Sequence, residues 1–175
     1  MTCIRHKKTY HSHLFKSSIL HHMILLSSIL SDQRIISELD ASSKKALITH
    51  IAELFSDELS LDKKTLFNVF FEREQLSSTG LGNGFALPHA RTSGINQAYG
   101  CLLKLSTPID FDAIDNNPID LVFALVVPED ANDEHLKILA SIAQMFSNEA
   151  TCSELRQAKD SIHMLDILKR NEQTA

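Results

Sequence analysis

From Ile24 onward the apolar positions of the chain fall into repeating patterns, each bounded by a recognisable start or stop. Ile35, Ile36 and Leu39 form a short apolar piece that reads as an edge strand or a turn. Ser42-Ser43 then offers a cap for a helix in which Leu47, Ile48, Ile51, Ala52, Leu54 and Phe55 recur at helical spacing. Asp62 caps a second helix whose apolar face holds Leu66, Phe67, Val69, Phe70 and Phe71, a set that reads as core. Three strand-like runs follow: a short Phe85-Ala86-Leu87, then Tyr99 to Leu105, then Ile119 to Val127. The last is almost continuously aliphatic, as expected of a strand covered on both faces. Pro108, Pro118 and Pro128 are expected to bracket the turns around it. Asn132 to Phe146 reads as a helix; Thr151 and Glu154 suggest a capping box for another; Ile162, Leu165, Ile167 and Leu168 mark the last. Helices followed by strands that alternate with helices predict one α/β layered domain over residues 23–170, with 171–175 a tail.

Composition adds boundaries to this picture. Of 175 residues, 43% are hydrophobic and 22% charged, which suits a globular domain with a real core and excludes collagen-like and low-complexity classes. The formal net charge of −5 offers no general attraction to nucleic acid or anionic lipid. It is unevenly spread: residues 1–22 hold Arg5, Lys7, Lys8 and Lys16 with no acid, and five of the nine histidines. Lys16 and His21-His22 interrupt the apolar run of this segment, and no small-x-small cleavage site follows, so it does not read as a signal peptide. His11-x-His13 with His21-His22 contains imidazole ligands for a metal, but the segment reads more simply as a disordered basic tail or a start-site extension ahead of Met23. No stretch reaches the roughly 20 apolar residues of a membrane span. Cys3, Cys101 and Cys152, odd in number and without C-x-x-C spacing, fit free thiols in the cytoplasm.

The chemistry concentrates in Ser77 to Arg91, SSTGLGNGFALPHAR. Gly80-x-Gly82-x-Gly84 is neither a dinucleotide fingerprint nor a P-loop, and no G-K-[ST] follows. Its physical content is that backbone N–H groups can approach an anion closely, with the hydroxyls of Ser78 and Thr79 beside them. Pro88 fixes the backbone immediately before His89, so the imidazole is aimed. By itself a histidine in this position is more often structural than reactive. Outside the tail the spacing of His, Asp and Glu forms no metal-ligand set, and neither a metal nor a cofactor is expected.

The ordered string 79–91 resembles the phosphorylation-site signature of the IIA components of the bacterial phosphoenolpyruvate-dependent phosphotransferase system, mannitol/fructose class. Glu72-Arg73-Glu74, the block from Phe111 to Leu125 and Glu134-His135-Leu136 share the resemblance, which spans almost all of the patterned chain. The Phe111-to-Pro128 block points to the nitrogen-related branch. The resemblance implies an α/β fold with a mixed β-sheet flanked by helices on both faces. It implies that His89 accepts a phosphoryl group from an HPr-like phosphohistidine carrier, and that the chain is a phosphoryl carrier with a covalent intermediate. His135 matches the second active-site histidine, a hydrogen-bond donor to the phosphate. Arg73 matches the arginine whose planar fork stabilises it, with Ser78, Thr79 and Gly80 as further phosphate-binding positions. Read without the resemblance, His135 is a solvated helix residue, and Arg73 pairs at the surface with its neighbours Glu72 and Glu74. His50 and His163 read as structural.

In the resembled branch the phosphorylation state regulates partners such as potassium transporters and sensor kinases. The alternative within the family is a sugar-specific IIA unit that passes phosphate to a IIB cysteine; sugar-transport units are often fused to membrane or IIB domains, which this chain does not contain. A binding module that no longer turns over phosphate, and a metal-dependent hydrolase, are the readings from other classes. His89, Arg73 and His135 together speak against the first, and the missing ligand set against the second.

Overall fold

The computed structural model describes residues 25–131 and 134–172; the His-rich segment 1–22, the start at Met23 and the first residues of the helix expected from Asn132 lie outside them. Two short 3-10 turns, Leu26–Ile29 and Asp32–Arg34, lead into β1 (Ile35–Leu39). The chain continues through α1 (Lys44–Leu59), α2 (Lys63–Leu76), β2 (Gly80–Gly82), β3 (Phe85–Ala86), β4 (His89–Thr92), β5 (Tyr99–Ile109) and β6 (Ile119–Pro128). It ends in α3 (Glu134–Phe146), α4 (Glu149–Gln157) and α5 (Ser161–Glu172). The six strands form one mixed sheet in the order β1-β5-β6-β3-β2, with β4 also paired to β6.

The aliphatic run of β6 is the spine of the molecule. Its successive side chains point to opposite faces of the sheet, and both faces are covered. Val122, Ala124 and Val126 belong to a core with Leu47, Ile48, Ile51 and Phe55 of α1 and Leu66 and Phe70 of α2. Leu121, Phe123, Leu125 and Val127 belong to a second core with Ile142 and Phe146 of α3, Leu155 of α4, and Met164 and Leu168 of α5. Phe55 stacks on Phe70 in the first core, and Phe85 on Phe146 in the second, with ring centroids 5.8 Å and 4.1 Å apart. Each fully buried aromatic or aliphatic side chain contributes about 1.5–3 kcal/mol through removal from water. The domain is a mixed sheet flanked by helices on both faces, and the patterned residues supply both cores.

Local chemistry sets most of the element ends. Ser43 Oγ accepts the Ala46 N–H, and the Asp62 carboxylate accepts from the Thr65 N–H at 2.7 Å, as the sequence predicts for the starts of α1 and α2. Three details differ from expectation. The cap of α4 is Asn148, whose Oδ1 accepts from the N–H groups of Ala150 and Thr151. Thr151 is buried and gives its hydroxyl to Asn171 Oδ1, so it and Glu154 form no capping box. Pro108 lies inside β5 and not in a turn; pairing between β5 and β6 is irregular between Lys104 and Ile109, and a proline without an N–H is tolerated in such a gap. α5 runs to Glu172, so 171 and 172 belong to that helix and not to a tail. Glu172 is buried and accepts from the N–H and hydroxyl of Ser27.

Candidate functional site

β3 and β4 run along β6 in one continuous parallel register, Phe85 opposite Leu121 and His89 opposite Leu125, interrupted only at Leu87-Pro88. Pro88 gives β6 a carbonyl, accepting the Leu125 N–H at 2.9 Å, while the Leu87 N–H is bonded to the Thr79 carbonyl. The interruption also frees the Leu87 carbonyl, which receives His89 Nδ1–H at 2.9 Å. A neutral imidazole with its proton on Nδ1 has its lone pair on Nε2. That lone pair faces Arg73, whose Nε–H donates to it at 3.2 Å. Burial lowers the pKa of His89 below its ordinary value. The Leu87 carbonyl opposes this and the Arg73 charge adds to it, with Glu74 and His135 acting in opposite directions behind them. A half-buried, neutral ring with one nitrogen pinned and the other turned outward is the arrangement a nucleophile needs.

Arg73 leaves α2 near its C-terminal end, with Nη1 donating to the Ser77 carbonyl at 3.0 Å. It does not pair with Glu72 or Glu74 among the described ion pairs. Together with His89, Arg91 and His135 it lines a cleft of about 400 Å³ between the end of α2, β4 and the start of α3. Leu76 and Leu136, 83% and 54% exposed, also line it and give it an apolar rim. The structure therefore brings His89, Arg73 and His135 to one opening. It adds Arg91, a residue the sequence reading passed over. The available signal was the spacing His89-x-Arg91 on a strand, which puts both side chains on one face.

Ser78, Thr79 and Gly80 are placed otherwise. Thr79 is buried, and both its N–H and its hydroxyl are spent on the Glu74 carboxylate. The Ser78 hydroxyl donates to the Phe111 carbonyl and accepts the Gly80 N–H. A Cβ on Gly80 would lie 2.8 Å from the Ala113 backbone, so this glycine is there for close packing. None of the three lines the cleft. Their donors hold the turn that carries β3 and β4, and the geometry gives them no phosphate contact. Glu74, read from sequence as a surface neighbour of Arg73, is the buried centre of this support. It also binds Lys44 Nζ at 3.0 Å, and Lys44 reaches Asp112. Burial works against the Lys44 ammonium, but its hydrogen bonds to Asp112 and Glu74 outweigh that and leave its pKa raised.

Elsewhere, His50 lies near Glu53 on α1, and His163 Nδ1 accepts the Lys159 N–H on α5, both far in sequence from the cleft residues and serving their own helices. Cys101 is fully buried, its thiol pushed up to about 12 by desolvation; burial also raises the Cys152 thiol. Among the described residues no group of three or more His, Cys, Asp or Glu is placed to hold a metal ion. None of the described helices is long and apolar enough to cross a membrane.

A mixed sheet between two helical layers, with a half-buried imidazole opening on a cleft beside two guanidinium groups, defines a small α/β domain with a cationic, histidine-bearing site. The family model for the phosphoenolpyruvate-dependent sugar phosphotransferase system, EIIA 2, matches residues 28–171, and the chain belongs to that family. Among its relatives, a nitrogen regulatory protein of Pseudomonas aeruginosa is 43% identical over 147 residues, covering 83% of this chain and 96% of that one. A nitrogen regulatory protein of Escherichia coli K12 is 39% identical over 150 residues, 85% of this chain and 92% of its own. The crystal structure of nitrogen regulatory protein IIA-Ntr from Neisseria meningitidis superposes with a TM-score of 0.79 at 37% identity, covering 83% of this chain and 99% of that one. The IIA mannitol structure from Escherichia coli, at 18% identity, 79% and 97% coverage and a TM-score of 0.67, shares the fold.

Proposed function

We propose that this chain is a regulatory IIA protein of the nitrogen-related phosphotransferase system, working in the cytoplasm, and that it accepts a phosphoryl group on His89 from an HPr-like phosphohistidine carrier. The observation that carries this reading is the tautomer of His89: Nδ1–H is held by the Leu87 carbonyl and the Nε2 lone pair is directed at the cleft. In the transfer, that lone pair forms a bond to phosphorus while the N–P bond to the carrier's ring breaks, and the released electron pair stays on the carrier imidazole. The proton on Nδ1 stays where it is, so no separate base is needed. Transfer between two imidazoles is nearly balanced in free energy; what the protein supplies is position and charge. The Arg73 guanidinium, resting on Nε2, is one short movement from the incoming phosphoryl oxygens, and His135 stands on the opposite wall. The apolar rim of Leu76 and Leu136 suits a donor that is itself a protein surface.

A phosphate on His89 adds negative charge and acceptor oxygens to this opening, which is sufficient to change which surface binds there. The partners selected by that change are those implied by the resemblance, potassium transporters and sensor kinases. The shared name of the more similar relatives favours regulation over sugar uptake.

The test is the intact mass of the chain after incubation with phosphoenolpyruvate, the general phosphotransferase enzyme and its histidine carrier. One acid-labile phosphoryl group on wild type, and none on a folded His89→Ala variant, is the expected result. No phosphate on folded wild type beside an active carrier favours a binding module. Onward transfer to a fructose- or mannitol-type IIB cysteine turns the reading to sugar uptake.

A further inference from the structure

Arg91 lines the same cleft as His89, the proposed acceptor. His89 and Arg91 are two residues apart on β4, so their side chains leave the same face of the strand with Cα atoms about 7 Å apart. Three contacts fix its guanidinium. Nη1 donates to the carbonyls of Glu129 and Ala131, at 3.0 Å and 2.8 Å, and Nη2 lies 2.9 Å from His135 Nε2. An arginine has five N–H donors and no acceptor. The short contact therefore requires His135 Nε2 to be the unprotonated nitrogen, accepting from Arg91. In that state this face of His135 has no proton to offer a phosphoryl oxygen.

We propose that Arg91 is a further catalytic residue, the donor to phosphoryl oxygens on the α3 side of the cleft, and that His135 is the positioning residue that holds its guanidinium. This rests on the reading of His89 as acceptor, and it exchanges the parts that the resemblance assigns to His135 and leaves unassigned for Arg91. With Arg73 approaching from α2, the phosphoryl group on Nε2 of His89 lies between two guanidinium groups from opposite walls. Arg91 gives and takes no proton in the step: the N–P bonds form and break as above, and its charge neutralises the three peripheral oxygens while phosphorus is between the two rings. Nη1, committed to two carbonyls, keeps the group in place beforehand, so its ordering is paid for in folding and not in the transition state.

The experiment combines transfer kinetics with imidazole NMR on the full chain. Arg91→Gln is expected to slow phosphoryl transfer from the phosphorylated carrier about 100-fold in kcat, the scale of losing one preorganised donor, with little change in KM for the carrier. Arg91→Lys restores part of the rate, because it keeps the charge and loses the fork. In wild type, long-range ¹H–¹⁵N spectra are expected to show His135 Nε2 unprotonated both before and after phosphorylation. In Arg91→Gln, His89 retains its Nδ1–H signal, which reports an intact strand and turn. Transfer by both variants at the wild-type rate overturns the proposal, as does a protonated Nε2 on His135 in the phosphorylated chain. Neither result touches the His89 reading, which fails separately if wild type takes no phosphate or if His89→Ala still takes one.

Discussion

At the scale of single residues, the reactivity proposed for His89 is a matter of which nitrogen is occupied. A free imidazole shares its proton between two positions; here the Leu87 carbonyl claims it for Nδ1, and burial keeps the ring neutral. The depressed pKa has two consequences. The ring stays unprotonated to lower pH than an ordinary histidine, so with His89 as the proposed acceptor the acid limb of the pH–rate profile for phosphoryl uptake is expected to fall with an apparent pKa below 6.5. For stability the sign is the reverse of a stabilising ion pair. Above 6.5 both folded and unfolded chains are neutral at this residue and it contributes nothing; below it the unfolded chain binds the proton first, and stability falls until the folded ring titrates too. Urea midpoints of wild type and His89→Gln, compared at about pH 7.5 and about pH 5.5, are therefore expected to shift in favour of the variant at the lower pH. Cys101 and Cys152 follow the same logic of burial. Both are expected to resist iodoacetamide in the native chain and to react once it is unfolded, because the thiolate is the reactive form.

At the scale of elements, the site depends on a relay through the backbone. Lys44 and Thr79 meet on the Glu74 carboxylate; the Thr79 carbonyl receives the Leu87 N–H; the Leu87 carbonyl receives His89. The glycine-rich string is thus a hairpin support for the interrupted strand, with Gly84 at φ +75 where a Cβ would run into Arg156 and Asp120. Thr79→Val removes one of three donors to a buried carboxylate and is expected to cost about 1–2 kcal/mol in urea unfolding. It should change the phosphoryl-transfer rate of the folded chain less than about 3-fold, against the roughly 100-fold expected of a direct phosphate donor. The capping serine of α1, the capping aspartate of α2 and the doubly covered strand β6 could all be read from local pattern, because each is decided by neighbours in sequence. The cap of α4 could not: Thr151 and Glu154 have the right spacing, but Thr151 is drawn inward to Asn171, twenty residues on, and Asn148 takes the cap.

At the scale of the whole molecule, the sheet separates two cores and places the site at one end, where β4 pairs with β6 and α2 and α3 both reach its residues. Phe123, fully buried against Phe146 on the α3 side, stands two residues before the cleft-lining Leu125 on β6; Phe123→Ala is expected to cost about 3–5 kcal/mol by leaving a cavity. The surviving folded fraction should keep the His89 tautomer, which is set by the backbone carbonyl of Leu87 and not by a side chain. The layered architecture was legible because amphipathic helices and a buried strand announce which faces they cover. The partners of Arg91 and Glu74 were not, since they lie across long separations: Arg91 finds carbonyls and a histidine about forty residues away, and Glu74 finds Lys44 thirty residues before it. Sequence identified a histidine aimed by a proline; the fold determined which of its nitrogens is available.

The choice of nitrogen decides whether His89 works as proposed. The decisive measurement is ¹H–¹⁵N and ³¹P NMR of the ring-labelled chain after phosphorylation by its histidine carrier. The expected result is phosphorus bonded to Nε2 of His89, with the Nδ1 proton still present and its signal shifted by the neighbouring phosphoryl charge. Phosphorus on Nδ1 of His89, or on His135, would contradict it.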